Sequence, residues 1–151
     1  MISLNLNGSD VEVDVPDGVS LLTVLTQDLN IFGPKYGCGK SQCGSCAVLL
    51  DGTPVRACQT AASAAAGRRV TTLEGLSGTG EPSALQRAFI AEQAAQCGYC
   101  AAGMIIQAQA LLDNNPNPTD ADVRQALNAN LCRCGSHNRI VRAVLRAAQE
   151  A

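Results

Sequence analysis

At the start of the chain apolar and polar positions alternate: Ile2, Leu4 and Leu6 fall on one side, and Val11, Val13 and Val15 alternate again after Asn7-Gly8. Period-two alternation around Asn-Gly predicts a β-hairpin. Beyond Asp17-Gly18 the spacing changes. Leu21, Leu22, Val24, Leu25 and Leu29 fit one face of a short helix, with Ser20 placed to cap it. Residues 33–46 hold Gly33, Gly37, Gly39 and Gly44 with almost no periodicity, and read as a loop. Residues 47–50, the Asp51-Gly52 turn and residues 54–58 predict a second hairpin, with 70–73 as a further returning strand. These elements make a small mixed sheet with one packed helix.

The pattern changes at GLSGTGEP, whose glycines and Pro82 punctuate the chain. We expect two units, residues 1–75 and 83–151, joined by a linker at 76–82. The second is helical throughout, with helices expected at 83–94, 101–113, 119–129 and 137–149. Thr119 and Asp122 are spaced as a capping box, and the NNPNP segment at 114–118 is a turn. Short connections and many alanines predict an antiparallel four-helix bundle, so the fold class is α+β.

With 151 residues the chain is one large or two small domains, too short for most multi-cofactor enzymes. Lys and Arg total 11 against 13 Asp and Glu, a formal charge of −2, which gives no field for nucleic acid or anionic lipid. Aromatics are 3% of the chain (Phe32, Phe89, Tyr36 and Tyr99), leaving few platforms for stacking bases. No nucleic-acid partner is therefore expected. The first residues lack a basic stretch followed by an apolar run, and no apolar run approaches the roughly 18 residues of a transmembrane helix. A cytoplasmic location is expected.

The eight cysteines change the picture, because in a reducing compartment clustered thiols ligate metal more often than they form disulfides. The first set is Cys38-x4-Cys43-x2-Cys46 followed by Cys58, the plant-type ferredoxin spacing for a [2Fe–2S] cluster. Thiolates converge there on two irons from a loop, and Gly37, Gly39 and Gly44 let the backbone approach. Zinc is the competing reading, but it normally shows paired C-x2-C units and only one occurs here. The second set is Cys97-x2-Cys100 and Cys132-x-Cys134. Each pair precedes a predicted helix, so two helix N-termini would face one anionic centre, as an all-thiolate cluster is. Zinc competes more strongly here, because two close pairs also suit a tetrahedral ion.

His137, the only histidine, reads as a polar residue at a helix start rather than a ligand. Arg133 lies between two cysteines and can offset cluster charge or face solvent. There is no phosphate-binding glycine loop, no dinucleotide fingerprint and no nucleophile with an evident base, so no substrate site is expected in this chain. Two clusters in one short polypeptide suit an electron relay. A free-standing two-cluster ferredoxin and a zinc-binding adaptor are the alternatives.

GPKYGCGKSQCGSCAVLLDG…RAC at residues 33–58, with QCGYC at 96–100 and NLCRCG at 130–135, resembles the iron–sulfur subunits of the molybdenum hydroxylase (xanthine oxidase) family. The resemblance spans nearly the whole chain. It implies a plant-ferredoxin-like β-grasp domain followed by a four-helix domain, each with a [2Fe–2S] cluster. It further implies that Cys38, Cys43, Cys46 and Cys58 hold the more exposed cluster. Cys97, Cys100, Cys132 and Cys134 would hold the one nearer a molybdopterin, with Gln96 and the backbone beside Cys134 facing the pterin. CGSHNRI at 134–140 is similar to the isoquinoline oxidoreductase, nicotinate dehydrogenase and aldehyde dehydrogenase branch. That branch implies a large partner subunit binding molybdopterin cytosine dinucleotide, which hydroxylates an N-heteroaromatic compound or oxidises an aldehyde. Members of that branch often lack a flavin subunit and pass electrons to a cytochrome, so the expected acceptor is a cytochrome or, alternatively, a flavin subunit. His137 stands where many relatives have Tyr, Ser41 where many have Gly, and Cys100-Ala101-Ala102-Gly103 lacks the usual Pro.

Overall fold

The computed structural model describes residues 1–78 and 80–151; within the expected linker, Thr79 lies outside the described residues. Strands β1 (Ile2–Leu6) and β2 (Ser9–Val13) form the first hairpin, and β3 (Ala47–Leu50) and β4 (Thr53–Arg56) the second. Both turn on residues with positive φ, Asn7 and Gly8 at 52° and 91°, Asp51 and Gly52 at 50° and 84°. Such turns match the twist of the flanking strands, which is why Asn-Gly and Asp-Gly stand there. The returning strand β5 (Arg69–Thr71) is parallel to β1 and antiparallel to β3, giving the order β2-β1-β5-β3-β4. It sits one residue earlier than expected and ends before Leu73, where the chain enters a 3-10 turn. β4 stops at Arg56, so Cys58 lies beyond the strand rather than in it.

The helix after the first hairpin is α1 (Leu21–Thr23), capped by the Ser20 hydroxyl accepting the Thr23 N–H at 3.2 Å. It widens into a π-helical turn over Val24–Asp28. Its Leu21, Leu22 and Leu25 pack on Leu4, Leu6, Val48, Leu50 and Val70, the first core. The second half holds α2 (Ala84–Ala91), α3 (Ala101–Asn114), α4 (Asp120–Ala126) and α5 (His137–Glu150). Leu85, Phe89, Met104, Ile105, Val123, Ile140 and Val144 form its core. The Thr119–Asp122 capping box is present, and Ser83–Gln86 makes a second one ahead of α2.

Two helices are shorter than their patterns. α2 stops at Ala91 because Gln93 takes a φ of 49°, and the N–H groups of Gln93 and Ala94 return to the carbonyls of Ile90 and Phe89. α4 stops at Ala126 because Leu127 turns into the core and the chain winds on through Asn130.

The halves are not stacked end to end. β3 is buried on both faces: Val48 and Leu50 face the first core, while Ala47 and Leu49 pack on Ile106 and Ala110 of α3. A helix of the second half thus covers the sheet of the first. Small residues allow it, since a Cβ on Gly103 would lie 3.1 Å from Ser45 Cα and closer still to the Gly44 carbonyl oxygen.

Candidate metal centres

The first thiol site grows out of the loop between α1 and β3. Three backbone N–H groups, from Lys40, Gln42 and Cys43, converge on Cys38 Sγ at 3.3, 3.1 and 3.3 Å. The Lys40 and Gln42 N–H groups, the former more strongly, hold the Cys38 thiol down to about 6. The Cys38 N–H in turn points at Cys43 Sγ at 3.4 Å. On the β3 side Cys46 and Cys58 are buried, joined by the Cys58 N–H at 3.5 Å from Cys46 Sγ. Burial there pushes Cys46 up to about 11. Glycine at 37 is required by space: a Cβ would stand 2.6 Å from Cys43 Sγ. Ser41 takes a φ of 60°, the left-handed conformation that glycine adopts without penalty.

The second site lies between the start of α3 and the start of α5. Cys97 is lowered by the Tyr99 N–H and then by Cys134, its neighbouring thiol. Cys100, the residue preceding α3, is pushed up to about 12 by burial and by the adjoining Cys132. Burial also works on Cys132, yet the N–H of Ser136, 3.4 Å from its sulfur, leaves it lowered. Both helix starts do face the site, through Cys100 and through Ser136.

Each quartet is two pairs: Cys38 with Cys43 and Cys46 with Cys58, then Cys97 with Cys134 and Cys100 with Cys132. Among the described residues no three donors close on a point that a single ion could occupy. A pairwise set of four thiols, with inward N–H groups and a glycine where a Cβ would strike sulfur, fits a two-iron, two-sulfide centre. Binding must displace protons from the buried thiols, so metal capture and folding are linked.

Gln96 and Cys134 line a common cavity of about 1300 Å³, together with Phe89, Ile90, Arg139 and Arg142. His137 is exposed at the start of α5 with Nε2 3.4 Å from the Asn130 carbonyl, and Arg133 is exposed. Sequence reasoning missed the residues that join the two sites. The Leu131 N–H donates to the Cys43 carbonyl at 2.9 Å, and the Tyr99 hydroxyl donates to the Tyr36 carbonyl. Arg56 donates to Gln107 Oε1 and the Ala129 carbonyl at 3.3 Å each, and to Asn130 Oδ1 at 3.4 Å. Asn130 is buried against Gly44, whose φ is +81°. A Gly inside a helical pattern, as at 103, was the one available signal of close approach.

These features define a two-centre iron–sulfur protein. Residues 4–72 match the 2Fe-2S iron-sulfur cluster binding domain and residues 72–145 the [2Fe-2S] binding domain. The chain is 54% identical to a nicotinate dehydrogenase subunit of Pseudomonas putida, over 98% of this chain and 94% of that one. It is 48% identical to the alpha subunit of isoquinoline 1-oxidoreductase of Brevundimonas diminuta, over 100% and 99%. Quinoline 2-oxidoreductase from Pseudomonas putida 86 superposes with a TM-score of 0.95 at 38% identity, covering 98% of this chain and 93% of that chain. The aldehyde oxidoreductase of Desulfovibrio desulfuricans gives 0.95 at 42%, with 99% of this chain matching only 17% of that one. The chain belongs to the iron–sulfur subunits of the molybdenum hydroxylase family. It is the electron-relay component of an oxidoreductase, with two [2Fe–2S] clusters as its cofactors and molybdopterin in a larger partner subunit. No helix among the described residues is long and apolar enough to cross a membrane.

Proposed function

We propose that Cys38 and Cys43 hold one iron of the first cluster and Cys46 and Cys58 the other. In the second cluster, Cys97 and Cys134 hold one iron and Cys100 and Cys132 the other. Bound there, each cluster would supply one-electron redox chemistry. The chain's own residues do the rest: backbone N–H groups stabilise thiolate charge, and the burial of Cys46 and partial burial of Cys100 limit water at the inner thiols. Gln96 and the backbone at Cys134 face the pterin of molybdopterin cytosine dinucleotide, and electrons leave by the exposed 36–43 loop. The observation that carries this reading is the direct hydrogen bond from Leu131, beside Cys132, to the carbonyl of Cys43. One thiol site opens on a cavity and the other on an exposed loop, and backbone joins them.

The units would be residues 1–75 and 83–151, in a complex working in the cytoplasm. Its large subunit would insert a water-derived oxygen into an N-heteroaromatic ring or an aldehyde, as the names of the relatives suggest. A cytochrome or a flavin subunit would take the electrons. A module that matches 17% of one aldehyde oxidoreductase chain matches 94% and 99% of two separate-subunit relatives, which supports a large partner subunit.

Quantitative EPR on the dithionite-reduced chain, with iron and sulfide assayed on the same sample, tests the assignment. Two distinct spin-half signals, about two spins per chain, are expected. Cys43→Ser should abolish one signal and Cys132→Ser the other. A single signal, or zinc in the second site, would overturn it.

A further inference from the structure

Arg56 closes strand β4 two residues before Cys58, and its side chain crosses to the second half of the chain. The guanidinium donates to Gln107 Oε1 on α3 and to the Ala129 carbonyl at 3.3 Å each, and to Asn130 Oδ1 at 3.4 Å. Asn130 is buried and stands two residues before Cys132. All three acceptors are neutral, and Arg56 makes no ion pair among the described residues. The other cations beside the thiols differ from it. Lys40 and Arg133 are exposed, each within a single cysteine loop, where water and salt screen a charge. Arg56 is half-buried between the halves, tied by the chain to Cys58 and by hydrogen bonds to the segment that leads into Cys132.

We propose that Arg56 is a tuning residue shared by the two centres, one unneutralised guanidinium that raises the reduction potential of both [2Fe–2S] clusters. The inference rests on the reading given under Proposed function. Its sign follows from charge. One-electron reduction adds a negative charge to a centre that four thiolates already make anionic, so a nearby cation stabilises the reduced form over the oxidised one. Neutral acceptors fix the guanidinium without cancelling it, whereas a carboxylate partner would. The planar fork holds the charge in place, because acceptors on α3 and at 129–130 keep it from swinging into water. At about 10 Å and an effective dielectric of about 20, a unit charge changes an equilibrium constant roughly tenfold. Partial exposure lowers that, so the expected effect is about threefold to tenfold, or about 30–60 mV for a one-electron couple.

The test is an EPR-monitored redox titration of the full chain carrying both clusters, with iron per chain measured on each sample. Arg56→Lys keeps the charge and loses the fork, whereas Arg56→Gln keeps a donor and loses the charge. Arg68→Gln removes the same unit of charge beside Asp51, at the turn end of the β3–β4 hairpin and away from Arg56. Both midpoints should fall by about 30–60 mV in Arg56→Gln, the threefold to tenfold effect above. They should stay at the wild-type values in Arg56→Lys and Arg68→Gln, with iron per chain unchanged. Arg56→Met repeats the loss of charge without a donor, and its midpoints should match those of Arg56→Gln. Wild-type midpoints in Arg56→Gln and Arg56→Met overturn the inference and leave the relay reading intact. A fall confined to one cluster overturns it as well, since the charge would not be shared. So does a fall in Arg56→Lys as large as that in Arg56→Gln, or loss of iron from Arg56→Lys, because position 56 would then act through structure. An equal fall in Arg68→Gln overturns it too, since the effect would be net charge rather than place. A wild-type chain without two EPR signals overturns the relay reading and this inference with it.

Discussion

Gly103→Ala should damage the first thiol site from a helix of the second half. Position 103 is the third residue of α3, and a Cβ there would lie 3.0 Å from the Gly44 carbonyl carbon, 3.1 Å from Ser45 Cα and closer still to the Gly44 oxygen. All three neighbours are backbone, so no rotamer change relieves the contact. Either α3 lifts from β3 or the 43–46 loop moves. Overpacking of this kind costs about 1–3 kcal/mol, and the absence of a flexible neighbour puts the cost near 3. Alanine returns about 1 kcal/mol through helix propensity. The net is a loss of about 2 kcal/mol, or an apparent midpoint lower by about 4–8 °C at this chain length. Thermal unfolding followed at the cluster absorbance, with the EPR signal of each cluster recorded, measures both effects. The first-cluster signal should change more than the second, although residue 103 is nearer in sequence to Cys100. A midpoint at or above wild type would show that propensity wins and that the seat on Gly44 is not tight.

Ser41→Gly should stabilise the 38–43 loop. A left-handed φ costs a non-glycine residue about 1–2 kcal/mol and glycine's extra unfolded freedom returns about 0.5–1, so denaturation should show a gain of up to about 1.5 kcal/mol and a loss would refute the strain. Arg56→Met removes the donor to Asn130 Oδ1 and Gln107 Oε1, and should cost about 2 kcal/mol in chemical denaturation. Arg56→Lys should fall between, because an ammonium cannot reach three acceptors as a planar fork does; equal stability of Arg56→Met and wild type would remove Arg56 from the bridge. The Arg68 guanidinium at 2.7 Å, then the Arg69 N–H at 2.9 Å, hold the Asp51 carboxyl below its usual value. Because the folded pKa is the depressed one, its contribution is present above the ordinary carboxylate range near 4 and is lost as pH falls through the folded value. An NMR titration should place the Asp51 midpoint below that range and Arg68→Gln should raise it; an ordinary midpoint in the wild type would refute the pairing.

The hairpins were legible because their turns state their own geometry: Asn7-Gly8 and Asp51-Gly52 need positive φ, and alternation on either side sets the faces. The thiol spacings were legible, and which thiols the fold brings side by side was not, because that depends on how two loops cross. Helix ends were least legible. Gln93 carries no stop signal, yet it takes the left-handed turn that ends α2. The contact of α3 with β3 was hidden for a different reason. Ala47-Val48-Leu49-Leu50 is a continuous apolar run, the mark of a strand covered on both faces, but in a hairpin it passes as one-sided. Its counterpart on α3, the stripe Gly103, Ile106 and Ala110, is too small-sided to stand out in an alanine-rich helix.

That contact explains how a chain of two units can act as one relay. If only the chain connection joined them, nothing would fix the spacing of the thiol sites. Instead the first turn of α3 serves both: it follows directly on Cys100, a thiol of the second site, and three residues beyond Cys100, about 4.5 Å along the axis, it seats on Gly44 beside Cys43 of the first. Asn130 packs on the same Gly44, and the next residue, Leu131, hydrogen-bonds the Cys43 carbonyl before the chain reaches Cys132. Both arms of the second site are therefore tied to one peptide of the first. The glycine that looks like a ligand-loop flexibility device is a fixed point, held by backbone on one side and a buried amide on the other. Spacing between the two centres is then a property of a helical turn and a hydrogen bond, both short and stiff.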